Sequence, residues 1–184
     1  FTDEELKHQA LFRRIEEMMA DGMAPGYQFL ADPDEVAAAV LEKSTWAVLA
    51  LILEIELFTQ EHYKQSIEPE ENLSDLYKDV FLFHWKEEAT HAIMDELEWP
   101  RENKKLTPAQ RDQAIDEVIE LVAAVDGILQ AQCAADVGYF LKICKSSSLR
   151  GWARPLRDAS SGLDLSLHTL HLLRGVARRL CVCS

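Results

Sequence analysis

Apolar residues recur at three- and four-residue steps through most of the chain, the period of an amphipathic helix. Over residues 3–20, Phe1, Glu5, His8, Phe12, Ile15 and Met19 fall on one stripe. The stripe predicts a helix that carries Glu5 and His8 among its apolar positions. Asp21-Gly-Met-Ala-Pro-Gly26 breaks it. Asp32-Pro-Asp-Glu35 then opens a second helix, with Asp as cap, Pro at the first position and Glu where a capping box wants it. The pattern continues to about Ser66, with a bend expected near Ser44. Its middle, Trp46 to Phe58, is apolar almost all round, which predicts a central helix buried on most sides.

Glu-Pro-Glu-Glu-Asn at 68–72 reads as a loop, and Leu73 to Glu98 as the next helix. Trp99 to Lys105 reads as a link, and Thr107-Pro-Ala-Gln110 as another capping box. A long helix follows to about Lys145, with Val118, Leu121, Val122, Val125, Leu129 and Phe140 as its core-facing stripe and Asp126 and Asp136 on its polar face. No strand pattern competes, so the expected fold class is all-α. The domain expected is residues 1–145, large enough at this length for a sizeable core.

Composition changes abruptly beyond residue 145. Residues 146–184 contain no Lys and no Glu, and six Arg, nine Leu and seven Ser fill 22 of the 39 positions. Net charge moves from −17 over residues 1–145 (13 basic, 30 acidic) to +4 (6 basic, 2 acidic). Leu, Arg and Ser are the six-codon residues, which a shifted reading frame would enrich. The segment is therefore expected to be either a foreign, frameshifted C-terminus or a basic amphipathic helix around Leu163–Leu180.

The formal charge of −13 over 184 residues argues against nucleic acid or an anionic membrane as partner. The run Trp46 to Leu53 is too short to span a bilayer, and the acidic opening Phe-Thr-Asp-Glu-Glu is not a signal peptide. Cys133, Cys144, Cys181 and Cys183 have no metal-finger spacing. A reducing, cytoplasmic setting is expected.

Within the 73–98 helix stands His84-Trp-Lys-Glu-Glu88-Ala-Thr-His91. Positions i, i+4 and i+7 share one helix face, so His84, Glu88 and His91 present imidazole, carboxylate and imidazole over two turns. That is a donor set for a transition metal. Glu5-Leu-Lys-His8 is a second Glu-x-x-His on the stripe of another helix, and such pairs on facing helices build dinuclear carboxylate sites. A carboxylate from the central helix would complete the set. Glu54 shares a stripe with Lys43, Glu61 and Gln65, which looks solvent-facing. Glu56 shares its face with Leu49, Ile52, Leu53 and Gln60, where a desolvated carboxylate needs a compensating cation. Glu56 is the chosen ligand and Glu54 the fallback. His62, about 120° around the helix from Glu56, reads as a core or outer-shell histidine.

The set Glu5, His8, Glu56, His84, Glu88 and His91 resembles the ligands of diiron oxygenases of the p-aminobenzoate N-oxygenase type. Those enzymes follow a lone Glu with Glu-x-x-His, a further lone Glu and His-x-x-x-Glu-x-x-His on successive helices. The chain matches the last three elements in that order over roughly residues 1–97, and the helix after Thr107 is a plausible continuation. The resemblance implies a ferritin-like bundle, incomplete at its N-terminus for want of the family's first helix, with a long additional helix. It implies two iron ions, with manganese an alternative, and a small-molecule substrate such as an aromatic amine, oxidised with dioxygen. Three carboxylates leave one positive charge on two divalent cations, so impaired metal binding and turnover are expected of this chain. A homodimer is left open. The rival readings are a ferritin-like protein that binds or stores metal without catalysis, and a metal-free helical protein in which the Glu/His pairs are polar network members.

Overall fold

The structure is a computed structural model that describes residues 1–143; the expectations for the segment after residue 145 lie outside the described residues. The fold is all-α. Among the described residues five α-helices follow one another: α1 (Thr2–Ala20), α2 (Pro33–Leu41), α3 (Thr45–His62), α4 (Asp75–Asn103) and α5 (Pro108–Ile143). A single π-helical turn, Tyr63–Ile67, prolongs α3.

Local chemistry sets the helix starts. Asp32 Oδ1 accepts from the backbone N–H groups of Asp34 and Glu35, with Pro33 at the first position of α2. Ser44 and Ser74 cap α3 and α4 by accepting from Ala47 N and Tyr77 N. Thr107 and Gln110 exchange the two bonds of a capping box at the head of α5. The continuous helix expected from residue 33 to 66 is two helices. Ser44 adopts an extended backbone to cap α3, and its N–H donates to Glu117 Oε2 at 2.9 Å, so the chain turns there instead of bending.

The chain clusters into two compact units. One comprises Phe1–Met19 and Lys43–Val118; the other joins Ala20–Glu42 to the chain from Ile119 onward. In the first, α3 packs along α4. Trp46, Ala47, Ala50, Leu51 and Leu53 are buried from α3, with Ala92 and Trp99 from α4 and Ala114 and Val118 from the start of α5. The Trp46 and Trp99 rings stand 4.8 Å apart. Asn103 accepts from Trp46 Nε1 and from Arg111 Nε. These contacts carry α4 through Pro100 to Asn103, where the sequence pattern predicts a link from Trp99; the fixed φ of proline suits a helix, and the price is one missing N–H bond. α3 is less enclosed than its composition implies, since Ile55 and Phe58 are exposed.

In the second unit, α5 pins the segment that precedes α2. Tyr139 Oη donates to Ala24 O at 2.6 Å, and Gln132 bridges Gln28 O and Leu30 N. The expected stripe of α5 is buried only in part. Val118 and Leu121 are buried, Val122 and Val125 half-buried, Leu129 and Phe140 exposed. By length and composition α5 is also apolar enough to cross a membrane, a test that core helices of soluble proteins pass as well.

Candidate metal centre

All six sequence-predicted ligands fall in the first unit. α1 contributes Glu5 and His8, α3 contributes Glu56, and α4 contributes His84, Glu88 and His91. His8, Glu56, Glu88 and His91 are buried, although α1 and α4 are otherwise rich in charge.

Glu88 stands at the middle. Its Oε1 lies 3.1 Å from His8 Nδ1 and 3.1 Å from His84 Nε2. Its Oε2 lies 3.7 Å from His91 Nδ1, which is itself 2.9 Å from Glu5 Oε1. The other oxygen of Glu5 is 3.9 Å from His8 Nδ1. Two groups result, each able to bring one ligand atom per residue within 4.8 Å of the others: His8, His84 and Glu88, and Glu5, Glu88 and His91. Glu88 belongs to both and turns a different oxygen to each. Donors held about 2.0–2.2 Å from one metal stand roughly 3–3.6 Å apart, and most of these separations fall in or close to that range.

The imidazoles are oriented from outside. His8 Nε2 is 2.6 Å from Glu87 Oε2, and His91 Nε2 is 3.0 Å from Glu4 Oε2. An ionised carboxylate only accepts, so each Nε2 carries a proton and donates it, which turns Nδ1 inward. Both Nδ1 atoms are buried without a hydrogen-bond partner, yet each faces carboxylate oxygens. With the imidazoles neutral the contact is repulsive, and a cation between them, a proton or a metal ion, makes the same geometry attractive. Outer carboxylates that fix a ligand histidine in this way are a regular part of metal sites. Lys7 pairs with Glu87 and completes the outer arm on α1.

The charges are strained in the same sense. Burial, then the carboxylates of Asp95, Glu88 and Glu5, push Glu56 up to about 8. Its Oε2 is buried and unpartnered. Burial also raises Asp95, against the pull of His91. Glu88 is lowered: burial works to raise it, but the His84 hydrogen bond and the charges of His84, His91 and His8 together outweigh that. Glu4 is held at about 2, first by its hydrogen bond to His91. Glu87 is held low by Lys7 and then His8.

Five of the predicted ligands thus make up the two groups, while Glu56 stands beside them as a buried carboxylate. Glu54 is half-buried, not solvent-facing. His62, expected in the core or outer shell, is exposed and stacks on Phe58 at 6.3 Å between centroids. The end of α3 turns it outward, away from the face that buries Glu56. Sequence reasoning missed three residues. Asp95 lies four beyond His91 and seven beyond Glu88, on the same stripe. Glu4 and Glu87 each immediately precede a Glu-x-x-His glutamate, so a doubled Glu before each pair was the readable signal. No protein-family model, curated protein or solved structure matches the chain.

Proposed function

We propose that the first unit is a ferritin-like dinuclear metal centre and that the protein is a diiron oxygenase, which oxidises a small organic substrate such as an aromatic amine with dioxygen. The observation that carries this reading is Glu88, one carboxylate offering separate oxygens to two groups of donors, each completed by imidazole. Two buried Nδ1 atoms that face carboxylates without a hydrogen-bond partner support a cation between them. The residues fit a pair of divalent ions. His8 and His84 would serve one, Glu5 and His91 the other, and Glu88 both, with Glu56 in reserve from α3. Nitrogen and oxygen donors of this kind suit iron and manganese.

When bound, two iron ions would supply the electrons and the open coordination positions that dioxygen activation needs. The chain's own part is geometric and electrostatic. Glu87 and Glu4 hold the Nε2 protons of His8 and His91 and so aim both Nδ1 atoms inward. Trp85 and Tyr63, stacked at 5.5 Å, lie where the π-helical turn meets α4, and Phe12 packs edge-on against His84 at 4.9 Å. Phe12 covers the His84 ring on that side. Three imidazoles among the donors favour redox chemistry over iron storage, whose sites lean on carboxylates.

The test is anaerobic loading with Fe(II), metal analysis, and oxygen uptake by the reduced protein with and without an aromatic amine. The proposal expects about two irons per chain, as dinuclear sites hold, and oxygen uptake coupled to oxidation of the amine. Iron that accumulates far beyond two per chain without substrate oxidation would establish the storage reading. No bound metal would leave a helical protein with a polar network.

A further inference from the structure

The three carboxylates that the sequence offers, Glu5, Glu56 and Glu88, fall one charge short of two divalent cations. The structure holds a fourth in the same place. Asp95 is the next residue on the His84–Glu88–His91 stripe, 8% exposed, and its Oδ2 is buried without a hydrogen-bond partner. Glu56, across from it on α3, is 4% exposed and likewise has an unpartnered oxygen. Two ionisable groups, each more than nine-tenths buried, each with an orphaned oxygen and, among the described residues, no basic side chain bonded to either, form a costly arrangement in a metal-free protein. The remaining nearby carboxylates are already engaged. Glu87 is paired with Lys7 and His8, and Glu4 lies at the half-exposed rim on His91.

Building on the metal reading above, we propose that Asp95 is the fourth carboxylate charge of the centre, the one that balances the four positive charges of two divalent cations. It acts from α4, outside the two donor groups, close enough to Glu56 on α3 and Glu5 on α1 to be felt by both. Its role is to retain the second ion, because that ion enters a site whose other charges the first has partly cancelled. Loss of a charge of this kind in the surroundings of bound metal weakens affinity by about 10–100-fold.

The experiment is titration of the metal-free 184-residue chain with Mn(II), read as ions bound per chain by equilibrium dialysis, beside thermal denaturation with and without Mn(II). The variants are Asp95→Asn, which keeps shape and removes charge, and Asp95→Glu, which keeps charge. The wild type should bind two Mn(II). Asp95→Asn should bind the second at least about tenfold more weakly and melt no lower than wild type when metal-free, because a buried repulsive charge has gone; with Mn(II) it should gain less melting temperature than wild type. Asp95→Glu should retain the second ion. A metal-free Asp95→Asn that melts well below wild type, or does not fold, would show a structural hydrogen-bonding role and overturn the inference. So would two-ion binding of wild-type strength in Asp95→Asn. A wild-type chain that takes up no Mn(II) would overturn the metal reading itself and this inference with it.

Discussion

Glu56→Gln should make the metal-free protein more stable, and only above a defined pH. The carboxyl of Glu56 is raised from an ordinary 4.5 to about 8, first by burial and then by the charges of Asp95, Glu88 and Glu5. Below pH 4.5 the group is protonated both folded and unfolded, and it contributes nothing. Between 4.5 and 8 the unfolded chain releases the proton while the folded chain keeps it, so stability falls as pH rises. At about 1.4 kcal/mol per pH unit, the full penalty by pH 8 is about 5 kcal/mol, an upper-end figure for a group coupled to other carboxylates. Glutamine is isosteric and uncharged, so the variant escapes the penalty. Urea denaturation of metal-free wild type and variant at pH 4.5, 6, 7 and 8 should therefore give curves that nearly coincide at 4.5 and separate steadily. By pH 8 the melting temperatures should differ by about 10 °C or more for a protein of this size. Saturating divalent metal should reverse the order, since it stabilises the ionised carboxylate that only the wild type has. A difference that is independent of pH, or a wild type more stable than the variant at pH 8 without metal, would refute the reasoning.

Glu88→Gln should abolish tight binding of both ions, exceeding the roughly 10–100-fold loss typical of an outer partner, while far-ultraviolet circular dichroism stays unchanged; metal analysis after gel filtration reads it. Glu87→Gln removes the acceptor of the His8 Nε2 proton and should weaken Mn(II) binding by about tenfold without abolishing it, as isothermal titration would show. Asn103→Ala strands Trp46 Nε1 and Arg111 Nε and should destabilise the first unit by about 2 kcal/mol in urea, with metal stoichiometry unaffected.

Helices and their order were legible because caps and periodicity are local. Asp32, Ser44, Ser74 and Thr107 all act within three residues of themselves. Where the sequence reading failed, the deciding contact was distant. Glu117 reaches Ser44 across 73 residues and helps turn a bend into a break. Trp46 reaches Asn103 across 57 and helps keep Pro100 inside α4. The site divides along the same line. Its donor spacings are properties of single helices and could be read directly. Which of Glu54 and Glu56 points inward also followed from the apolar neighbours of each, though Glu54 is more covered than its stripe suggests. An aspartate on a helix is ordinarily solvated, and only the 8% exposure of Asp95 sets it apart. The roughly 120° between His62 and Glu56 does not tell which side of α3 lies open, and His62 falls on the exposed side.

The way α1 is held explains why the centre and the fold of the first unit are one problem. α1 has a single buried residue, and that residue is His8. Its backbone does not run close along α3 or α4 as those two do along each other. It reaches α4 through long side chains: Lys7 and His8 to Glu87, His8 to Glu88, and Glu4 and Glu5 to His91. Aromatic contacts add to this: Phe12 on Phe81 at 5.5 Å and on His84 at 4.9 Å, and Phe1 on His91 at 4.4 Å. The exposed Lys7–Glu87 pair contributes roughly 0–1 kcal/mol, and the buried contacts of His8 and His91 with Glu5 and Glu88 attract only where a proton or a metal ion supplies positive charge. A metal ion that takes donors from both helices converts those contacts into bonds, and its binding free energy becomes attachment energy for α1. The polar residues that would be a liability in an ordinary helix interface are then the interface itself.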